Sequence, residues 1–145
     1  MSWKSASVVA FALLAACVWW MGIMGSLFAS GPVTLAVQIA AGLLMIWARV
    51  TFGRRSFHAA ANPTSGGIVT TGPYRFIRHP IYAAIFYFML AGAAAHPSGE
   101  SLSAALIVTV MLFVRMRSEE ILLLDRYPEY GPYAARTSRI LPGVF

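Results

Sequence analysis

The stretch that decides the fold is "VVAFALLAACVWWMGIMGSLF", residues 8–28, which contains no charged side chain. An α-helix of this length is about 30 Å long, which is enough to cross the hydrocarbon core of a bilayer. Three more apolar segments follow, and the last reaches a spanning length only if its helix continues past Arg115. We therefore predict an all-α integral membrane protein with about four transmembrane helices, at residues 8–28, 33–50, 81–95 and 102–124.

The composition of the whole chain agrees with this class. Of its 145 residues, 59% are hydrophobic and 11% are charged, whereas a soluble domain is near half apolar and about a quarter charged. The length predicts a single domain, residues 1–145. With one cysteine, Cys17, the chain has no internal disulfide and no multi-cysteine metal site.

The eleven Lys and Arg residues are distributed unevenly along the chain. They precede the first apolar segment, separate the second from the third, and follow the fourth; the turns at residues 29–32 and 96–100 contain none. With four crossings, all these cations lie on one face, which the positive-inside rule makes cytoplasmic. We therefore expect a multi-pass protein of the cell inner (cytoplasmic) membrane with both termini cytoplasmic. The net charge of +6 reflects topology, and no nucleic-acid partner is expected.

A polar stretch, "TGPYRFIRHPIYAA", opens the third apolar segment at residues 71–84. Pro80 suits the first turn of a helix, and His79 then occupies the cap, where unpaired backbone N–H groups favour an anion. Two interpretations remain open for this stretch. Its arginines and tyrosines are typical of a cytoplasmic membrane boundary, and together with the histidine they are also typical of a binding site.

A second polar stretch, "RMRSEE", begins at Arg115. In a continuous helix Arg115 and Glu119 are i, i+4 neighbours on one face, and Glu120 and Ile121 point elsewhere. The pair is either a snorkelling arginine with a surface partner or part of a pocket closed by the first polar stretch. Helix spacing does not decide between the two.

The remaining polar residues exclude several chemistries. No metal is expected, because the three histidines lack metal-ligand spacing. There is no Ser/His/Asp or Cys/His arrangement and no glycine-rich phosphate loop. Three tyrosines at three-residue steps, Tyr127, Tyr130 and Tyr133, are interpreted as anchors at the membrane interface or as packing residues.

Two motifs, "GPYRFIRHPIY" and "RSEEILLLDRYPEYGPYAARTSRILPG", resemble the isoprenylcysteine carboxyl methyltransferase family and its bacterial relatives, which are related to phospholipid N-methyltransferases. The resemblance covers residues 66–143. It implies an S-adenosylmethionine-dependent methyltransferase embedded in the membrane. The resemblance also implies a cytoplasmic cofactor site, formed by the loop between helices two and three and by the C-terminal segment, and an acceptor that enters from the bilayer.

Residue by residue, the resemblance implies cofactor contacts from Gly66, Gly67, Ile68, Val69, Tyr74, His79, Pro80, Ile81, Tyr82 and Glu119. Arg115 matches the arginine that faces the methyl acceptor, and Arg115, Glu119 and His79 are the expected catalytic residues. Ala84 stands where the family often has glycine, which adds a methyl group where chain and ligand approach closely. The short tail "RYPEY" does not argue for a prenylated protein as acceptor.

Methyl transfer is a displacement on an activated donor, so positioning and exclusion of water do most of the work. A carboxylate acceptor needs only a cation such as Arg115, whereas an amine must first lose a proton, for which Glu119 or His79 are candidates. We therefore expect methyl transfer to a small lipophilic acceptor, with carboxyl O-methylation favoured over phospholipid or other N- or S-methylation. A non-catalytic small membrane subunit is the alternative. The small residues permit an oligomer without requiring one.

Overall fold

The computed structural model describes residues 3–53 and 67–143. Within these ranges the regular structure is helical, with one short 3-10 turn at Gly72–Arg75 and no strand. The five α-helices are α1 (Trp3–Ile23), α2 (Pro32–Phe52), α3 (Pro80–Ala95), α4 (Gly99–Arg126) and α5 (Tyr130–Arg136).

The all-α membrane class is confirmed, and the number of crossings stays a prediction. By length and composition, α1, α2 and α4 are long and apolar enough to cross a membrane. The apolar helix α3 has 16 residues, which corresponds to about 24 Å against a hydrocarbon core of about 30 Å. The fourth crossing, the cytoplasmic placement of both termini and the identity of the membrane stay predictions.

The helix ends follow local sequence signals. The helices α2 and α3 begin at Pro32 and Pro80, because proline has no N–H to leave unpaired in the first turn. The helix α4 begins after Ser98, whose hydroxyl accepts a hydrogen bond from the Ser101 N–H at 3.1 Å. It continues without a break through Arg115, so the extension that the fourth apolar segment required is present.

The helix α5 was not among the four helices predicted from the sequence, and the residues after α4 contain several prolines and glycines. Its only proline, Pro132, lies in the first turn, where a missing N–H breaks no helical hydrogen bond. Buried Tyr130 and Tyr133 face the rest of the molecule from this helix. Aromatic burial against the bundle therefore forms a helix that the local composition does not favour.

The four long helices pack mainly through three contacts: α1 on α4, α4 on α3, and α3 on α2. The buried apolar cluster of the bundle includes Leu14 and Met21 of α1 and Val108 and Leu112 of α4. Large apolar side chains on the outer faces of α1 and α2 are exposed. In a spanning protein these faces contact lipid.

At one end of the bundle, Gln38 explains why a polar residue interrupts the apolar sequence of α2. Its amide accepts a hydrogen bond from the Ala29 N–H at 2.9 Å and donates to the carbonyls of Leu27 at 2.8 Å and Phe88 at 3.1 Å. Gly92 permits this contact, because a Cβ there would lie 2.5 Å from the Leu27 carbonyl oxygen. The turn between α1 and α2 is thereby fixed against α3.

At the other end, the residues after α4, which we call the C-terminal segment (residues 127–143), lie across the start of α3. Main-chain hydrogen bonds join the two chains: the Arg78 N–H donates to the Ser138 carbonyl at 2.8 Å, and the His79 N–H donates to the Arg139 carbonyl at 3.1 Å. The start of α3, the last turns of α4 and the C-terminal segment therefore meet in one place. Both polar stretches of the sequence lie there.

Candidate active site

The start of α3 contributes His79 and Tyr82 to this end of the bundle. His79 caps the helix, and Tyr82 follows three residues later, so the two side chains lie on one face. Their rings stack with centroids 5.6 Å apart and an interplanar angle of 23°. Both side chains face α4, where they contact its two adjacent glutamates.

Glu119 lies at the centre of the first group of contacts. The Tyr82 hydroxyl donates a hydrogen bond to Glu119 Oε1, and Arg115 Nη2 lies 3.7 Å from the same oxygen. His79 Nδ1 is 3.8 Å from Glu119 Oε2. The Glu119 side chain keeps 26% of its surface exposed, so its carboxylate is accessible from outside the protein.

Arg115 is buried at 3% exposure, which differs from the interpretation of a snorkelling surface arginine. Its Nε donates to the Tyr82 hydroxyl at 3.1 Å, and its Nη1 donates to the Ser7 carbonyl at 2.9 Å. The guanidinium carbon lies 5.3 Å from the Phe11 ring centroid and 5.6 Å from that of Tyr82. α1 therefore supplies part of the surroundings of Arg115, which sequence reasoning did not foresee.

Glu120 corrects the expectation that it points away from the site. It accepts hydrogen bonds from Arg78 Nε at 2.7 Å and from Arg139 Nε and Nη2, both at 3.1 Å, and His79 Nε2 lies 3.3 Å from it. One residue turns a helix by about 100°, which is the turn from the α3 side to the side covered by the C-terminal segment. Both glutamates therefore find partners.

Arg78 and Arg139 attach the C-terminal segment to Glu120. Arg78 Nη1 also donates to the carbonyls of Ala134, at 3.4 Å, and Thr137. The hydrogen bonds to Glu120 raise the pKa of Arg139. The sequence signal for this contact was the pair of adjacent glutamates in "RSEE", together with Arg78 before it and Arg139 after it in the chain. A buried carboxylate requires cationic partners, and these arginines supply them.

Tyr130 and Tyr133 face the same region from α5, with burial as complete as that of core residues. The Tyr133 hydroxyl donates to the Tyr74 carbonyl at 2.8 Å, and burial raises the pKa of Tyr133 to about 12. The Tyr130 hydroxyl is buried and has no hydrogen-bond partner among residues 3–53 and 67–143. Burial and, next, the negative charge of Glu120 raise the pKa of Tyr130. The sequence predicted that these tyrosines anchor the segment at the membrane interface or pack on neighbours, and their burial agrees with packing. It did not place Tyr130 in the candidate site.

The other predicted cofactor residues fall into a second group. Gly66 lies outside the described residues. Gly67 adopts a positive φ of 76°, and Ile68 and Val69 line a pocket of about 500 Å³ together with the end of α2. His79, Tyr82, Arg115 and Glu119 do not line that pocket.

The remaining predicted positions are largely buried. Tyr74 packs its ring on Phe52, with centroids 5.4 Å apart. Pro80 is buried and Ile81 is partly buried. Ala84 is also buried, so its extra methyl group is accommodated in the packed part of α3.

The family model described as "Isoprenylcysteine carboxyl methyltransferase (ICMT) family" matches residues 34–125, which is more than half of the chain. The chain belongs to this family. The resemblance seen in the two motifs is thereby confirmed, and membership supports a membrane methyltransferase. Members of the ICMT family generally use S-adenosylmethionine. The matched residues include most of α2, all of α3 and nearly all of α4, and they exclude α1 and α5.

Two curated relatives also match part of the chain. The chain is 39% identical over 77 residues to the nickel-cobalt-cadmium resistance protein NccN of Alcaligenes xylosoxydans xylosoxydans, covering 52% of this chain and 36% of that protein. It is 33% identical over 76 residues to the cobalt-zinc-cadmium resistance protein CzcN of Cupriavidus metallidurans, covering 52% and 35%. The match thus spans about a third of the length of these relatives. No solved structure gives a significant match.

Proposed function

We propose that this ICMT-family chain transfers a methyl group from S-adenosylmethionine to a small lipophilic acceptor at the cytoplasmic face of the membrane. The observation that carries the proposal is the group formed by His79 and Tyr82 of α3 with Arg115 and Glu119 of α4. His79 and Tyr82 come from the first family motif and Glu119 from the second, and Arg115 lies two residues before the second motif. The four side chains meet beside the segment that follows α4. Acidic, cationic and aromatic groups are thereby combined at one membrane boundary.

The residues present fit S-adenosylmethionine, which supplies a methyl group activated by its attachment to a sulfonium. The accessible carboxylate of Glu119 suits a ribose diol or an ammonium group. The faces of the Tyr82 and His79 rings suit an adenine or, for Tyr82, a cation. The buried, unpaired hydroxyl of Tyr130 lacks a polar partner, and a ligand group would satisfy it. The described residues therefore offer contacts to the ribose or ammonium group, to the adenine and to the sulfonium of this cofactor.

In this proposal the chain works by positioning and by excluding water. Arg115 holds the acceptor's carboxylate, and the Tyr82 hydroxyl, which accepts from Arg115 and donates to Glu119, fixes the relative position of the two side chains. Stacking on His79 limits rotation of the Tyr82 ring. Because a carboxylate is already a competent nucleophile, no proton has to be removed.

N-methylation is the second candidate reaction, and the accessibility of Glu119 is the observation that favours it. An amine acceptor must lose a proton before it attacks, and Glu119 and the neighbouring His79 ring are the groups that would take it. We rank this reaction second, because the buried guanidinium of Arg115 would repel an ammonium acceptor and would attract a carboxylate.

The experiment that tests the proposal uses membranes containing the chain and methyl-labelled S-adenosylmethionine. We expect label in the lipid extract that mild base removes as a methyl ester, whereas stable label would identify N- or S-methylation. Arg115→Ala should lower turnover without lowering affinity for S-adenosylhomocysteine. Arg117→Ala, which changes an exposed arginine of the same helix, is the control. If a folded sample gives no calorimetric heat with S-adenosylmethionine or with S-adenosylhomocysteine, the proposal that the chain is an enzyme is wrong.

The names of NccN and CzcN provide a cellular setting, and we propose that this chain shares it. Loss of the gene should then lower tolerance to nickel, cobalt or cadmium, and the wild-type gene should restore it. The Glu119→Gln variant should not restore tolerance if methyl transfer is the contribution. Full restoration by Glu119→Gln would instead favour the non-catalytic membrane subunit.

A further inference from the structure

The feature of α1 that its packing does not explain is Ser7. Ser7 lies on the same face as Ala10 and Leu14, in the contact between α1 and α4, and none of its surface is exposed. Its hydroxyl is buried and has no hydrogen-bond partner in the part of the chain that the structure describes. Burying a hydroxyl without a partner is unfavourable, and alanine would fill this position without that cost.

Other helical hydroxyl groups of the chain avoid this cost. Thr51, Thr109 and Ser118 each donate to the carbonyl four residues earlier in their own helix, at 2.8, 2.7 and 2.7 Å. This local bond is the ordinary way for a serine or threonine to be satisfied inside a helix. Ser7 is in a helix as well and does not make it, so its hydroxyl remains available for another group.

Ser7 lies next to the cation that we assign to the methyl acceptor. The Ser7 carbonyl accepts a hydrogen bond from Arg115 Nη1 at 2.9 Å. Phe11, one turn later on α1, places its ring over the guanidinium and keeps 44% of its own surface exposed. On the α1 side, Arg115 therefore contacts the main chain of the residue whose hydroxyl is unpaired, and an aromatic ring that is partly exposed.

We infer that Ser7 binds the methyl acceptor: its hydroxyl and the Arg115 guanidinium together hold the carboxylate of a lipophilic acid, whose apolar chain passes Phe11 to the bilayer. A carboxylate has two oxygens, and a neutral donor beside a guanidinium matches them. Because Arg115 is buried, the Phe11 ring must rotate away to admit the acid. This inference rests on the proposed function and assigns a role to α1, which lies outside the residues matched by the family.

The test compares Ser7→Ala with Ser118→Ala in the full chain, purified in detergent. Ser118 is a matched control, because it is equally buried and its hydroxyl is satisfied within its own helix. Two ligands are titrated separately: radiolabelled hexadecanoate as the acid and S-adenosylhomocysteine as the cofactor form. We expect Ser7→Ala to raise the hexadecanoate Kd about tenfold, as for loss of one hydrogen bond to a charged group. Its S-adenosylhomocysteine Kd should not change, and Ser118→Ala should change neither Kd.

Thermal unfolding distinguishes a binding role of Ser7 from a purely structural one. If Ser7 served only the fold, Ser7→Ala would lower the unfolding temperature. Removing an unpaired buried hydroxyl leaves no group unsatisfied, so Ser7→Ala should unfold at or above the wild-type temperature. Unchanged hexadecanoate affinity in Ser7→Ala, or an equal loss of affinity for hexadecylamine, would overturn the inference. So would wild-type protein that binds S-adenosylhomocysteine and not hexadecanoate. The protein could instead bind hexadecanoate in a way that depends on Ser7 and fail to bind S-adenosylhomocysteine. That result would support the acid-binding site and contradict the proposed methyl transfer.

Discussion

Glu119 and Glu120 are neighbours in the sequence, and their surroundings differ in kind. The Glu120 side chain is 5% exposed and contacts three cationic or titratable partners, Arg78, His79 and Arg139. The Glu119 side chain is 26% exposed and contacts Tyr82, Arg115 and the Nδ1 atom of His79. One carboxylate has its hydrogen-bonding capacity used within the fold, and the other keeps capacity for a ligand.

The difference separates assembly of the site from its chemistry. Glu120 connects α4 to the start of α3 and to the C-terminal segment, so it brings three parts of the chain together. Removing a buried carboxylate of this kind is strongly destabilising, because Arg78, whose side chain is 11% exposed, would be left without its charged partner. Glu119 contributes less to the assembly, and its exposed surface is the part that a cofactor would contact.

The largest effect is expected for Glu120→Gln. This change leaves Arg78 and Arg139 without their carboxylate, and we expect the free energy of unfolding to fall by about 3–5 kcal/mol. Denaturant unfolding in detergent measures it, and protease cleavage within the C-terminal segment should become faster. Glu119→Gln is the matched control. Equal stability of the two variants would contradict the division between the two glutamates.

A smaller effect, and of a different type, is expected for Glu119→Gln. The variant should lose about tenfold in S-adenosylhomocysteine affinity, as for loss of one charged hydrogen-bond acceptor. Its free energy of unfolding should fall by less than that of Glu120→Gln, because Glu119 is partly exposed and Arg115 keeps its hydrogen bonds to the Tyr82 hydroxyl and the Ser7 carbonyl. Calorimetry measures the affinity. Glu120→Gln is measured in the same way once it has been shown to be folded. If it lowers S-adenosylhomocysteine affinity as much as Glu119→Gln does, the two carboxylates act as one site.

The smallest effect is expected from a second matched pair, Tyr133→Phe and Tyr130→Phe. Tyr133→Phe removes the hydrogen bond to the Tyr74 carbonyl and should lower the free energy of unfolding by about 1 kcal/mol. Tyr130→Phe removes a hydroxyl that has no protein partner, so stability should not fall while cofactor affinity does. Thermal unfolding and calorimetry of both variants measure this. A loss of stability in Tyr130→Phe would show that its hydroxyl serves the fold.

Much of this molecule follows from interactions that are local in the sequence. The uncharged run at residues 8–28 determines the membrane class, Pro32 and Pro80 determine where α2 and α3 begin, and helical periodicity brings Arg115 next to Glu119. Each of these depends on residues within a few positions of one another. For that reason they could be predicted before any tertiary contact was known.

The composition of the site depended on contacts that no local pattern specifies. Ser7 meets Arg115 across 108 positions, Arg78 meets Glu120 across 42, and Tyr133 meets Tyr74 across 59. Glu120 contacts the C-terminal segment because that segment packs beside it. Which segment packs there is decided by burial in the whole bundle and cannot be read from neighbouring residues. The sequence by itself determined the four long helices, the membrane class and the residue types of the site. The tertiary structure alone decided which of those residues assemble the site and which remain available to a ligand.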